Sequence, residues 1–201
     1  MEDASQLSRD ELLCITDKEF LLTKQSAVQK ISKLLASTEK ELAGIIRENV
    51  EGYPAGTFIK SGKISKGENY LGLPYLMLDY PRLFSEENTF AFRTMFWWGN
   101  FFSCTLQISG NFLEDRRSQI ESRIESLKHL GVYLGVNDDP WKYHLGDDNY
   151  QLIDNLGIRG LKQVIQDKAT IKVSRLLSLD EYAQLPEFAC TTYQLFSRLV
   201  F

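Results

Sequence analysis

Residues 89–109 read Thr-Phe-Ala-Phe-Arg-Thr-Met-Phe-Trp-Trp-Gly-Asn-Phe-Phe-Ser-Cys-Thr-Leu-Gln-Ile-Ser, and their pattern decides the fold. Two runs rich in aromatic and β-branched residues flank a Gly99-Asn100 turn signal, the signature of a β-hairpin. Side chains alternate between the two faces of a strand, so a slip of one residue would invert every position. A three-residue loop (Trp98, Gly99, Asn100) sets Phe96 opposite Phe102, Thr94 opposite Cys104, Phe92 opposite Leu106 and Phe90 opposite Ile108. That register yields one nearly pure apolar face. The other face then carries Trp97 with Phe101, Met95 with Ser103, Arg93 with Thr105 and Ala91 with Gln107. A two-residue loop would mix Phe with Gln and Arg with Leu. The first register is therefore expected: a sheet with one core face and one mixed face bearing a single charge.

Upstream of the hairpin, Val28, Ile31, Leu35, Leu42 and Ile45 form one apolar stripe at helical spacing, which predicts a helix over 24–49. A shorter helix over 9–22 is expected before it, opened by Ser8-Arg9-Asp10-Glu11 as a capping box. Helical periodicity stops at the turn-forming run 51–56. A first strand is expected over 57–65, as an edge because of Gly62 and the spaced lysines, and a second over 69–80 with Pro74 at an edge or bulge. Residues 81–88 then connect to the hairpin.

Downstream, Asn111 is placed to cap a helix running to Leu130, with His129 in its last turn and Gly131 ending it. Residues 132–155 resist assignment: the turn clusters 138–140 and 146–149 bracket Trp141-Lys142-Tyr143-His144-Leu145. A helix over 158–167, a strand over 170–177 and short helices from Leu179 and Pro186 complete the chain. Helices, then an antiparallel run, then helices with a returning strand make an α+β layout. The expectation is one domain over 1–201, with N-terminal helices at 9–50, the sheet region at 57–109, and C-terminal helices with a return strand at 111–201. Its central, mainly antiparallel sheet is packed by helices from both ends of the chain.

With 201 residues, 43% of them hydrophobic, the chain is long enough to bury its own core without a metal or disulfide. Its net charge of −4 runs against the global electrostatics of a nucleic-acid binder. The start lacks a signal-peptide pattern, and no apolar run is long enough to span a bilayer. Cys14, Cys104 and Cys190 are far apart and odd in number, which fits reduced, buried thiols in a cytoplasmic protein.

Residues 66–82, Lys-Gly-Glu-Asn-Tyr-Leu-Gly-Leu-Pro-Tyr-Leu-Met-Leu-Asp-Tyr-Pro-Arg, together with the hairpin after them, resemble an uncharacterised bacterial protein family. The resemblance is centred on 66–109. It implies a bacterial cytoplasmic protein and supplies no activity or catalytic residue.

Chemical motifs are sparse. Ser61-Gly62-Lys63-Ile64-Ser65 departs from a phosphate-binding loop, because Gly56 lies one position too far upstream and Ile64 stands where a hydroxyl should meet magnesium. His144 lies near Asp147 and Asp148 but has no second ligand histidine or Cys-x-x-Cys beside it. No Gly-x-Ser-x-Gly element is present, and nothing points to a metal or other cofactor. The remaining candidate is the mixed sheet face. There Arg93 and Asp79 would pair or present a fork to an anion, with Tyr75, Trp97, Met95 and Phe101 as walls and Thr105, Ser103 and Gln107 as hydrogen-bonding groups.

This favours a non-enzymatic interaction or small-ligand-binding domain, with a small anionic ligand or a protein as its partner. The alternatives are a small enzyme with an acid–base site at Asp79, Arg93 and His144, and nucleic-acid binding through Lys60, Lys63, Lys66 and Tyr70. The 12% aromatic content and the stripe at 28–45 also lead to an expected homodimer through the helix or the hairpin surface.

Overall fold

A computed structural model describes residues 5–47 and 52–201 of the chain. Strands β3 (Asn88–Trp97) and β4 (Phe101–Gly110) form the hairpin, and their Cα partners match the three-residue-loop register: Phe90–Ile108, Phe92–Leu106, Thr94–Cys104 and Phe96–Phe102. Around them lie β1 (Lys63–Tyr70), β2 (Leu73–Phe84), β5 (Tyr133–Gly135), β6 (Tyr150–Leu152) and β7 (Thr170–Leu177). The seven strands make one sheet in the order β1-β2-β3-β4-β7-β5-β6, and every ladder is antiparallel. The helices are α1 (Arg9–Thr16), α2 (Lys18–Arg47), α3 (Asn111–Arg123), α4 (Ile158–Asp167) and α5 (Leu185–Val200). The protein is thus α+β, with an antiparallel sheet covered by helices from both ends of the chain.

The inner sheet face holds Phe90, Phe92, Phe96, Phe102, Leu106 and Ile108, all buried. They pack in one core with Leu35, Leu42 and Ile46 of α2 and with Tyr193, Phe196 and Val200 of α5. Phe92 meets the Tyr193 ring edge-on at 5.2 Å, a favourable aromatic geometry. Within this core Cys104 is wholly buried, and burial pushes its thiol pKa up to about 12. The stripe that predicted α2 is therefore covered within the chain: Leu35 and Leu42 are fully buried, and Val28, Ile31 and Ile45 pack against the core.

Several expected boundaries move, each for a local reason. The helix expected over 9–22 breaks at Asp17. Its extended ψ of 91° ends α1, and its carboxylate accepts from the Phe20 N–H at 2.9 Å to start α2. The Ser8–Glu11 capping box is present in both directions. The end of the helical region expected at 48–50 lies outside the described residues. Residues 57–62 contribute only an isolated bridge, Phe58 to Arg82, and the edge strand begins at Lys63. A turn at Leu71 and Gly72, with φ of 51° and 82°, interrupts the strand expected over 69–80, and β2 then runs on to Phe84. Pro74 lies opposite a register shift in β1 between Gly67 and Tyr70, where a missing N–H breaks no ladder.

Asn111 does not cap α3. Gly110 occupies that position, and the Asn88 carboxamide accepts from the Phe112 N–H at 2.9 Å instead. His129 is not in a helical turn: it lies past the 3-10 turn that follows α3, at φ 63°, with Nδ1 3.0 Å from Asp154. Helix α4, strand β7 and the proline start of α5 lie where the sequence places them.

Candidate cleft on the outer sheet face

The outer face is organised by one irregularity. Asp79 pairs with Arg93, but the next pair is Arg82 with Ala91, so β2 carries one extra residue, at a cis Tyr80–Pro81 step. Strict alternation would turn Arg82 inward beside Tyr80. The bulge re-aims it, so Asp79, Arg82, Phe84 and Arg93 share the outer face. Tyr80 remains inside, with its hydroxyl donating to the Ile59 carbonyl at 3.0 Å. Lys63 and Ser65 join the same face from β1, opposite Asp79 and Met77.

Arg93 grips Asp79 with a bidentate fork, Nε to Oδ1 at 2.6 Å and Nη2 to Oδ2 at 3.0 Å. Both side chains are more than nine-tenths buried. Arg93 also donates through Nη1 to the Tyr143 hydroxyl, which in turn donates to Gln107 Oε1 at 3.1 Å. Burial works against the Arg93 charge, but the bonds and charge of Asp79 and the Tyr143 dipole outweigh it and hold the pKa above the ordinary arginine value. Burial pushes the Tyr143 phenol up, so it stands as a neutral hydroxyl able to accept and donate at once.

Tyr143 belongs to residues 136–149, a strap between β5 and β6 that crosses the outer face. It is tied down at both sides of the sheet. On the β1 side, the Tyr70 hydroxyl accepts from the N–H groups of Tyr143 (2.5 Å) and His144 (3.0 Å). On the β7 side, the Lys172 ammonium donates to the carbonyls of Lys142 (2.7 Å) and Asp139 (3.3 Å). Lys172 is 1% exposed and reaches the strap past Gly135, where a Cβ would lie only 3.0 Å from Lys172 Cε. Burial pushes the Lys172 pKa down to about 8, Asp139 opposing the shift and Lys142 and Arg93 adding to it.

The strap covers the β3–β4–β7 side of the outer face and leaves the β1–β2–β3 side open. The result is a cleft of about 460 Å³ lined by Lys63, Ser65, Met77, Asp79, Arg82, Phe84, Arg93 and Trp141. Phe84 and Trp141, both substantially exposed, face one another across 6.1 Å, and the Arg93 guanidinium lies 5.8 and 5.9 Å from their rings. Arg82 stacks on Phe58 at 4.6 Å, and its Nε is buried without a hydrogen-bond partner.

Of the five sequence candidates, Arg93 and Asp79 are paired and line this cleft. The other three lie elsewhere. Trp97 is buried beneath Tyr70, donating to its carbonyl at 3.3 Å. Thr105 is buried in a 2.8 Å bond with Ser174. Tyr75 packs against Tyr70 and borders a separate groove beside α2. Met95 is buried with Met77 and Tyr143, and Phe101 packs beside them. His144 bonds Tyr70 and Asp148 and does not line the cleft, so the Asp79–Arg93–His144 set does not converge. The lysines spaced by three split in the same way: Lys63 faces the cleft, whereas Lys66, opposite Leu76, faces the other side.

Sequence reasoning missed Arg82, Phe84, Trp141, Tyr143 and Lys172 as members of this site. The one available signal was the aromatic run Trp141-Lys142-Tyr143-His144 between two turn clusters, since loops dense in aromatic residues are often seated on something.

Among the described residues, no helix is long and apolar enough to cross a membrane, and no three His, Cys, Asp or Glu side chains are grouped to hold a metal ion. Comparison with protein-family models, curated proteins and solved structures finds no match for the chain. The functional reading therefore rests on the cleft.

Proposed function

We propose that this protein is a small-ligand-binding module whose outer-face cleft takes a compact anion carrying a flat apolar group. One observation carries the reading: Asp79 is already neutralised by Arg93, so Lys63 and Arg82 leave the cleft with uncompensated positive charge. Neither forms an ion pair with a carboxylate among the described residues, and Arg82 Nε has no partner. A carboxylate or phosphate in the cleft would meet the Lys63 ammonium, the guanidinium of Arg82 and the remaining N–H groups of the Arg93 fork. Phe84 and Trp141 would hold the apolar part between two rings, the usual combination of aromatic walls and few polar groups.

We read the role as binding rather than catalysis: among the described residues the cleft lining holds no histidine or cysteine, and its one carboxylate, Asp79, is held by Arg93. The setting we propose is the bacterial cytoplasm, in keeping with three free thiols and with the family that residues 66–109 resemble.

The test is thermal denaturation and Trp fluorescence with inorganic phosphate, benzoate and phenyl phosphate as probes. Phenyl phosphate is expected to raise Tm most and to quench the exposed Trp141. At a probe concentration 100 times Kd the stabilisation is about 2.7 kcal/mol. Arg82→Ala and Trp141→Ala are each expected to remove most of the shift without lowering the stability of the unliganded protein. Equal shifts in wild type and both variants, or none with any probe at about 10 mM, overturn the proposal.

A further inference from the structure

Along β7 the inner sheet face is apolar except at one position. Ile171, Val173 and Leu177 lie opposite Ile108, Leu106 and Phe102, and all are buried in the core. Arg175 stands on the same face, opposite Cys104, where the alternation calls for one more apolar side chain. It is half-buried beneath α5. Its guanidinium stacks on Phe188 at 4.8 Å and donates from Nη1 to the buried Thr192 hydroxyl at 3.2 Å. Among the described residues no carboxylate pairs with it. Burial accordingly holds its pKa below the ordinary arginine value. Arg93 on the outer face differs, because Asp79 neutralises it with a bidentate fork. A charge drawn out of water without a counter-charge costs stability, so packing alone does not account for Arg175.

Arg175 also lines a pocket of about 220 Å³, together with Leu130, Thr191, Gln194, Leu195 and Arg198. Thr191, Gln194, Leu195 and Arg198 fall at spacings of three, four and seven, so α5 presents them on one face. Arg198 forms no ion pair among the described residues either, and no Asp or Glu is in the lining. Two positive charges therefore stand in this pocket uncompensated.

We propose that this pocket is a second ligand site for a small doubly charged oxyanion, a short dicarboxylate or a phosphate. Each guanidinium offers a planar fork that matches two oxygens of such a group. The Gln194 amide and the Thr191 hydroxyl add hydrogen-bonding groups, and Leu130 and Leu195 flank a short carbon chain. One negative charge for each arginine balances the pocket, which selects a dianion over a monoanion. The site lies on the helix side of the sheet, whereas the cleft lined by Arg82 and Arg93 lies on the other, so the two fill independently.

The test is isothermal titration of the full chain carrying Arg82→Ala, a background in which the outer-face cleft is weakened. The probes are succinate, inorganic phosphate and acetate. Succinate or phosphate is expected to bind about tenfold tighter than acetate, and the tighter of the two identifies the group recognised. Arg198→Gln, at an exposed position, is expected to weaken that binding about tenfold and to leave the urea midpoint without probe unchanged. Arg175→Leu is expected to abolish binding and to raise the urea midpoint by about 0.3 M, because it continues the apolar row and removes an unpaired charge. Such a gain of stability with loss of binding marks a residue kept for a ligand. The proposal is overturned if neither dianion binds by about 10 mM, if acetate binds as tightly, or if binding survives both variants. An Arg175→Leu protein that is less stable, or that does not fold, makes Arg175 a structural residue and overturns it as well.

Discussion

Arg93→Ala tests the outer face at its most sensitive point. The substitution removes both arms of the fork on Asp79, at 2.6 and 3.0 Å, and the bond to Tyr143. Asp79 is then left as a carboxylate with only 7% of its side chain exposed. Stranding one member of a buried pair costs about 3–5 kcal/mol. Asp79 borders an open cleft, and water entering there offsets part of the penalty, so about 3 kcal/mol is expected. In a chain of this length each kcal/mol lowers Tm by about 2–4 °C, which gives a fall of about 6–12 °C. The partner variant Asp79→Leu strands the guanidinium and should cost a similar amount. The double variant Arg93→Met with Asp79→Leu should return to within about 2 kcal/mol of wild type, because apolar groups of similar volume replace a pair whose desolvation offsets much of its attraction. With the single variant Arg93→Met added, urea denaturation of wild type, Arg93→Met, Asp79→Leu and their double closes the cycle. Arg93→Lys adds a control: it keeps the charge, loses the bidentate geometry and should fall between wild type and alanine. A loss under about 1 kcal/mol for Arg93→Ala, or single-variant losses that simply add in the double, refutes the view that the two residues form one buried unit.

Three further outcomes follow from the same structure. Phe92→Ala should destabilise by about 3–5 kcal/mol in urea, since it empties a fully buried site against Tyr193; a loss below about 1 kcal/mol would place Phe92 outside the core. Lys172 has a folded pKa lowered to about 8 from 10.5, so between pH 8 and 10.5 the unfolded chain binds more protons than the folded one, and stability rises with pH. The stability difference between wild type and Lys172→Met should therefore shift in favour of wild type across that window, and a difference flat with pH would show that Lys172 is not desolvated. Ellman's reagent should titrate Cys14 at once and Cys104 only on unfolding, and mass spectrometry of unreduced protein should find no internal bridge. An immediate reaction of all three thiols would contradict the buried environment of Cys104.

The sequence by itself determined the elements whose signal is local and repetitive. Alternation over 89–109 set the hairpin register residue by residue, because a one-residue slip there exchanges Phe for Arg or Gln at every inner position. Helical spacing set α2 and α4, and a run of β-branched and aliphatic residues set β7. The pairing of Asp79 with Arg93 was legible as a possibility once both were assigned to one face. What tertiary structure alone decided lies where a single residue shifts the pattern or where distant segments meet. One extra residue at Tyr80–Pro81 turns Arg82 and Phe84 onto the cleft face, and nothing in the alternation of β2 announces it. Trp97 and Thr105 of the hairpin and Tyr75 of β2 share the outer sheet face with Arg93, but Tyr70, the strap and the neighbouring strand β7 cover the first two, and Tyr75 opens on a different groove. Residues 136–149 have no period of their own. Their course is fixed by the Tyr70 hydroxyl and the Lys172 ammonium, which stand 102 positions apart in the chain and satisfy the strap's backbone N–H and carbonyl groups from opposite sides of the sheet. A loop held in this way takes its shape from the obligation to satisfy buried backbone groups, and that obligation exists only once the sheet has formed beneath it.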